Sequence, residues 1–313
     1  MQTFNDRGRH VKVFLLSVFL TFSGLAAEPQ PLRELLTQAV PFANSPVPWF
    51  RHGFVVTFPP GPAAGEHPPI SSTMYGFSVY APDGTFAFNK NIELPGGIQP
   101  VVRDLDFDTD GSAAVAATAQ GSSGFILRIL RLDRTGRQTG FIDTGRYCPA
   151  SIAIASDPSI WTLGWQMAAD RPPHPDRQDY MIVRRYSTDG REDKGFLPRS
   201  SFPAGLEPGS AGPGIHIEVT RDRVGILAHS GKTSGNAEWI ELDSAEISPN
   251  RTRVDTVMRI ALAAFTADDH VYLRGYNEDG YTLDDAASQT WKALQKHDGI
   301  FMGADGTLWC TGK

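Results

Sequence analysis

Residues 103–136 read RDLDFDTDGSAAVAATAQGSSGFILRILRLDRTG. An acidic turn at Asp110 and Gly111 leads into an apolar run over 113–119. A Gly/Ser turn over 120–124 leads into a second run over 125–132, which closes on another acidic turn at Asp133. Apolar runs this short, bounded by turn residues, suit strands rather than helices. Working outward, the same two hairpins recur. The first kind, an acidic turn before an apolar strand, stands at Asp110, Asp157, Asp222, Asp268 and Asp305. The second kind closes a strand with an acidic turn at Asp83, Asp133, Asp189 and, in degenerate form, Asp243. The two kinds alternate along the chain.

Two hairpins in each roughly 40–60 residues, repeated, are the pattern of a β-propeller blade. The reading is therefore all-β: a β-propeller of five blades, each of four antiparallel strands. Six is the alternative, because residues 54–58 carry a strand pattern that no repeat claims. The chain starts with a second-kind hairpin at Asp83 and ends with a first-kind hairpin at Asp305. Joining the two would make one blade and close the ring by pairing N- and C-terminal strands, which removes free sheet edges. The domain spans residues 51–313. Residues 28–50 form a Pro-rich leader with one short helical pattern over 32–40.

Residues 1–27 read as a signal peptide. Arg7, Arg9 and Lys12 precede a short apolar run over 13–22 (VFLLSVFLTF), and small residues follow at Gly24, Ala26 and Ala27. The run is too short for a comfortable membrane crossing, and no later segment reaches that length. A secreted or periplasmic protein is expected, with no membrane span after signal removal. Cys148 and Cys310 would then meet an oxidising compartment, as a bridge or as two separate thiols.

Composition narrows the function classes. A hydrophobic content of 41% excludes a disordered chain, and 31 Gly with 23 Pro fit a turn-rich fold. The formal charge of −6, with no basic stripe, argues against nucleic acid as a partner. Asp106, Asp108 and Asp110 match the first half of a calcium loop, so calcium is the one cofactor a motif here would suit. The second half fails, since Ala114 and Ala117 stand where further ligands belong. The competing reading is a hairpin turn in which Asp bonds its own backbone. Gly225 to Thr233 imitates a phosphate loop, but the glycines are one residue too far apart and no helix follows. No nucleophile elbow and no zinc-ligand cluster occurs. Asn250 begins a glycosylation sequon.

The long connections at 120–124, 166–179, 230–237 and 277–289 share one face, opposite the short acidic turns. Long loops on a rigid scaffold are the usual binding surface. Arg103, Asp104, Tyr147, His216 and Arg259 enter the innermost strands on that face, and Trp165 and Tyr276 sit at the loop bases. These seven are the candidate ligand-binding residues, for a small molecule, glycan or protein.

The repeats, best seen in DFDTDGSAAVAA and ILRILRLDRTG, resemble bacterial secreted propellers of the NHL and SMP-30/gluconolactonase kind. The resemblance covers residues 75–313 through loose repeats. It implies an alternative to non-enzymatic binding: a metal-dependent lactonase or sugar-acid hydrolase, with Asp104, Glu218 and Asp106 as candidate channel ligands. No catalytic residue transfers from that family.

Overall fold

The computed structural model describes residues 10–16, 33–39, 49–58, 76–81, 83–167, 180–202, 214–220, 223–229, 237–243, 250–254, 260–265, 271–275, 280–283, 291–293, 299–302 and 308–312. These form β-strands, apart from turns and one 3-10 turn at Arg199–Ser201. Every sheet has four antiparallel strands. Sheet I holds β3 (Trp49–Arg51), β4 (Phe54–Thr57), β5 (Gly76–Tyr80) and β6 (Phe86–Asn91). Sheet II holds β7 (Gly97–Phe107), β8 (Ala113–Gly121), β9 (Gly124–Leu132) and β10 (Gln138–Asp143). Sheet III holds β11 (Tyr147–Ile154), β12 (Ile160–Gln166), β13 (Met181–Tyr186) and β14 (Glu192–Pro198). Sheet IV holds β15 (Gly214–Val219), β16 (Arg223–His229), β17 (Ala237–Asp243) and β18 (Asn250–Val254). Sheet V holds β19 (Ile260–Phe265), β20 (Val271–Gly275), β21 (Gly280–Leu283) and β22 (Trp291–Ala293). In these five, strands pair in chain order.

A sixth sheet joins the two ends of the chain: β1 (His10–Leu16), β2 (Arg33–Ala39), β23 (Gly299–Met302) and β24 (Leu308–Gly312), in the order β2-β1-β24-β23. This differs from the expected arrangement in one respect. The Asp83 hairpin does not pair with the Asp305 hairpin. It completes sheet I with β3 and β4, the strands that the repeat pattern left unclaimed, while β1 pairs β24 from Lys12 opposite Gly312 to Leu16 opposite Leu308. The helical pattern at 32–40 is a strand instead, since β2 finds a pairing partner in β1 and pairing overrides a weak local propensity.

Apolar clusters lie between successive sheets. Val56, Phe77 and Val79 of sheet I pack on Leu105, Phe107, Val115 and Leu130 of sheet II. Ala114, Ala116 and Ile129 of sheet II pack on Ile152, Ile160 and Tyr186 of sheet III. Trp161, Leu163 and Phe196 of sheet III pack on Ile217, Ile226 and Ile240 of sheet IV. A sheet covered on both faces must be apolar at odd and even positions alike. That explains β8, where Ala113, Val115 and Ala117 face sheet I and Ala114 and Ala116 face sheet III. The small side chains let the sheets approach closely. The innermost strands β3, β7, β11 and β15 neighbour one another in that order.

Candidate functional site

In sheets I to V the first strand lies at a sheet edge, where its outer N–H groups have no neighbouring strand of the same sheet. On β11 and β15, side chains from the preceding sheet meet some of them. Asp104 on β7 accepts from the Ile152 N–H at 3.0 Å and from Ser151 Oγ at 2.9 Å, both on β11. Asp106, two residues on and on the same side of β7, accepts from the Ile154 N–H at 2.7 Å. Ser151 repeats the device one sheet later, because its Oγ accepts from the Ile217 N–H of β15 at 3.2 Å. Ser151 therefore occupies on β11 the place that Asp104 occupies on β7, and by the same offset His216 occupies it on β15.

Sheet I contributes the cations. β3 and β4 are joined by His52 and Gly53, both at positive φ (46° and 84°), the backbone a two-residue hairpin turn needs. The turn carries Arg51 and His52 against sheet II. Arg51 Nη2 donates to Asp104 Oδ1 at 2.9 Å. His52 Nδ1 hydrogen-bonds the Phe107 carbonyl at 2.8 Å and forms an ion pair with Asp106, whose Oδ1 lies 2.9 Å away. The Asp106 charge is the chief reason the His52 pKa rises to about 9, against the opposing effect of burial. The Arg51 pKa is raised as well: burial works against the charge, but Asp104, Glu218 and Asp106 outweigh it. The charges of the three acids singled out from the sequence thus all act on one guanidinium, with Asp104 in direct contact. His216 Nε2 and Glu218 Oε1, on β15, lie 2.5 Å apart.

These contacts limit the chemistry. Both oxygens of Asp104 are occupied, one by Arg51 and the other by Ser151 and Ile152. The Ser151 hydroxyl donates to the Asp104 carboxylate and accepts from the Ile217 backbone amide, so both its hydrogen-bonding roles are taken by the inter-sheet tie. Among the described residues, no three His, Cys, Asp or Glu side chains come together as a metal-holding group. Asp108 and Asp110 turn to their own hairpin instead. Asp108 Oδ1 accepts from the Thr109 N–H at 2.6 Å, and Asp110 Oδ1 accepts from the Ser112 N–H at 2.8 Å and from the Ser112 hydroxyl. The donor set of Asp106, Asp108 and Asp110 is divided between an inter-sheet tie and a turn, which does not fit a calcium ion.

The remaining candidates lie toward the loop end of sheets II and III. Tyr147 is buried. Its hydroxyl donates to the Ile182 carbonyl at 2.7 Å, Arg184 stacks over its ring, and burial pushes its pKa well above the ordinary value. Trp165 is only 5% exposed and clusters with Cys148 and Leu127. Cys148 is a free thiol, and burial raises its pKa to about 11, with the Arg103 charge opposing the rise. Arg103 is exposed, and its Nε donates to Thr118 Oγ1 at 3.2 Å. Arg259 and Tyr276 lie outside the described residues, as do the loops over 168–179 and 230–236.

Sequence reading missed Arg51 and His52. A His-Gly turn between two short strands was their only signal, and it fell in the stretch that the repeat pattern did not claim.

No known family matches the sequence, and no curated protein does either. Solved structures do match. A protein of unknown function from Dyadobacter fermentans DSM 18053 aligns at 11% identity with a TM-score of 0.51, over 83% of this chain and 90% of that one. The Dos1 propeller aligns at 9% identity with a TM-score of 0.45, over 84% of this chain and 77% of that one. Identities this low concern fold alone. The stacked four-stranded sheets, each entered by its innermost strand, define the class: the fold is β-propeller-like.

Proposed function

We propose that this chain is an exported, non-enzymatic β-propeller of six blades, closed by its N- and C-terminal strands, that binds a ligand through its long-loop face. The observation that carries the binding reading is the division of labour among polar groups. Near the innermost strands, the charges are consumed in ties between sheets. At the loop end of sheet II, Ile98 and Phe125 are 64% and 50% exposed, and Arg103, on the same strand as Ile98, is exposed as well. Exposed apolar side chains next to a charge on a rigid scaffold mark an interaction surface. The ligand classes are a small molecule, a glycan or a protein. A thermal-shift panel across these classes tests the reading: hits should be weakened by Phe125→Asp. A panel in which no compound of any class shifts the melt would remove the binding reading.

The blade count follows from assigning each four-stranded sheet to one blade, with Trp49–Arg51 and Phe54–Thr57 supplying the inner half of an extra one. Export rests on the basic start and apolar run of residues 1–27. The same stretch supplies β1, so the two roles compete for residues 10–16. N-terminal sequencing of the protein recovered from a bacterial periplasm decides between them. Cleavage after Ala26 or Ala27 supports export and leaves sheet VI to be completed without β1. Among the described residues, no helix is long and apolar enough to cross a membrane.

A lactonase of the gluconolactonase kind is the second reading, favoured by the charges of Asp104, Asp106 and Glu218 all acting on the Arg51 guanidinium. Arg51 is itself a permanent cation there, and among the described residues no three such acids come together as a metal-holding group. Metal analysis of the purified protein tests it: a stoichiometric divalent ion lost on replacing Glu218 with Gln would favour the enzyme.

A further inference from the structure

The acidic turns carry a chemistry that neither the inter-sheet ties nor the loop face uses. In the chain, Asp83, Asp110, Asp189, Asp279, Asp298 and Asp305 are each followed by glycine. The first three aspartates lie among the described residues, and the other three lie outside them. An Asp-Gly bond can rearrange without an enzyme. The glycine nitrogen attacks Cγ of the aspartic acid, a C–N bond forms, and the amide hydrogen leaves with the carboxyl OH as water. Water then reopens the five-membered imide. Opening at the side-chain carbonyl restores aspartate. Opening at the main-chain carbonyl runs the backbone through the side chain as isoaspartate, one methylene longer. Nothing is oxidised or reduced.

The turns demand the residue that makes this step easiest. Gly84, Gly111 and Gly190 have φ of 82°, 86° and 87°, the left-handed backbone that favours glycine. A glycine leaves its nitrogen unshielded, and all three aspartates are exposed to water. Both reacting groups are nevertheless occupied. Each glycine N–H donates to the carbonyl three residues back: Gly84 to Ala81 at 2.8 Å, Gly111 to Asp108 at 3.0 Å and Gly190 to Ser187 at 2.9 Å. Each carboxylate is held by other donors. Asp83 Oδ1 accepts from the Thr85 N–H at 2.9 Å and the Thr85 hydroxyl at 2.7 Å. Asp110 Oδ1 accepts from the Ser112 N–H at 2.8 Å and from the Ser112 hydroxyl. Asp189 Oδ1 accepts from the Ser187 hydroxyl and from the Arg191 N–H at 3.3 Å, while Oδ2 accepts from Arg191 Nε at 2.7 Å. The hydroxyls foremost, these donors lower the pKa of all three carboxyls. The ionised form is the unreactive one, because it has no OH to lose.

We infer that the Asp83, Asp110 and Asp189 turns are isoaspartate sites that the fold holds shut, each guarded by the Ser or Thr hydroxyl on its carboxylate. Rearrangement at any of them requires its hairpin to open first. The inference stands apart from what the loop face binds.

The test is long incubation of the full chain at neutral pH, folded and in concentrated urea, with isoaspartate located by peptide mapping. All three sites should convert in urea. They should convert about tenfold or more slowly in the folded chain, since the amide and the carboxylate must each give up a hydrogen bond. Ser112→Ala should speed conversion at Asp110 in the folded chain about fivefold, with Asp83 and Asp189 unchanged as internal controls. Thr85→Val is the reciprocal variant, with Asp83 as the site that responds. Equal rates in the folded and urea-treated chains overturn the inference. So do variants in which the guarded site stays as slow as before, or in which all three sites accelerate alike.

Discussion

His52 carries the most pH-sensitive contact of the inner belt. Its folded pKa of about 9 lies above the ordinary 6.5, chiefly because of Asp106, with the Glu218 charge and the Phe107 carbonyl acting the same way. A raised pKa means that the folded state holds the proton more tightly than the unfolded chain. The stabilisation is fully present below pH 6.5 and is lost as the pH rises through about 9, with about 3 kcal/mol as an upper figure. The melting temperature should fall between pH 6.5 and 9.5, and His52→Gln should flatten that fall. Identical pH slopes in the two proteins would refute the assignment. Gly164 is a second sensitive position. A Cβ placed there would meet the Cys148 carbonyl oxygen at 2.1 Å, where β11 and β12 draw together beside a register shift. Gly164→Ala should destabilise by about 2 kcal/mol, read from denaturant unfolding.

At the scale of the element, the acidic hairpin turns share one construction. Asp83, Asp110, Asp133 and Asp157 each accept the backbone N–H two residues on, and each also accepts the Ser or Thr hydroxyl at that position. The repeat recognised in the sequence is therefore a turn device, an aspartate that shapes its own backbone. The ties between innermost strands behave differently, because each binds two sheets. Asp104→Ala would leave the Ile152 N–H, the Ser151 hydroxyl and the Arg51 guanidinium without their shared acceptor. It should cost about 3 kcal/mol, while Asp104→Asn should cost less because it can still accept one hydrogen bond. Chemical denaturation of the two variants makes the comparison, and a neutral alanine variant would remove the tie from the account. On β8, Ala116→Leu would overfill the space between sheets II and III and should cost about 2 kcal/mol.

Over sheets I to IV, the buried faces pack against neighbouring sheets, so stability is shared along the stack. Removing residues 299–313 takes β23 and β24 out of sheet VI and leaves β1 without the strand that ties it to the rest. Circular dichroism melts should show loss of the cooperative transition in the truncated protein, and an unchanged melt would count against closure through these strands. No side-chain contact is needed for this expectation, because it follows from strand order alone.

Much of the architecture was legible from residues 103–136 outward. Alternating short strands and acidic turns have a period local enough to read along the chain, and four-stranded antiparallel units follow from it. Asp104, His216 and Glu218 were legible as unusual residues on strand entries. Their employment was not, because a carboxylate that binds an edge N–H of the next sheet looks the same in sequence as one that holds a metal. Arg51 and His52 gave no usable sign, since their partners lie more than fifty residues away. By itself, the sequence determined the strands, their turns and the pairing of nearest neighbours, all of which depend on contacts within a few residues. Only the tertiary structure decided which hairpins share the terminal sheets, which charges serve as ties and which donors remain free, because those depend on segments brought together from distant parts of the chain.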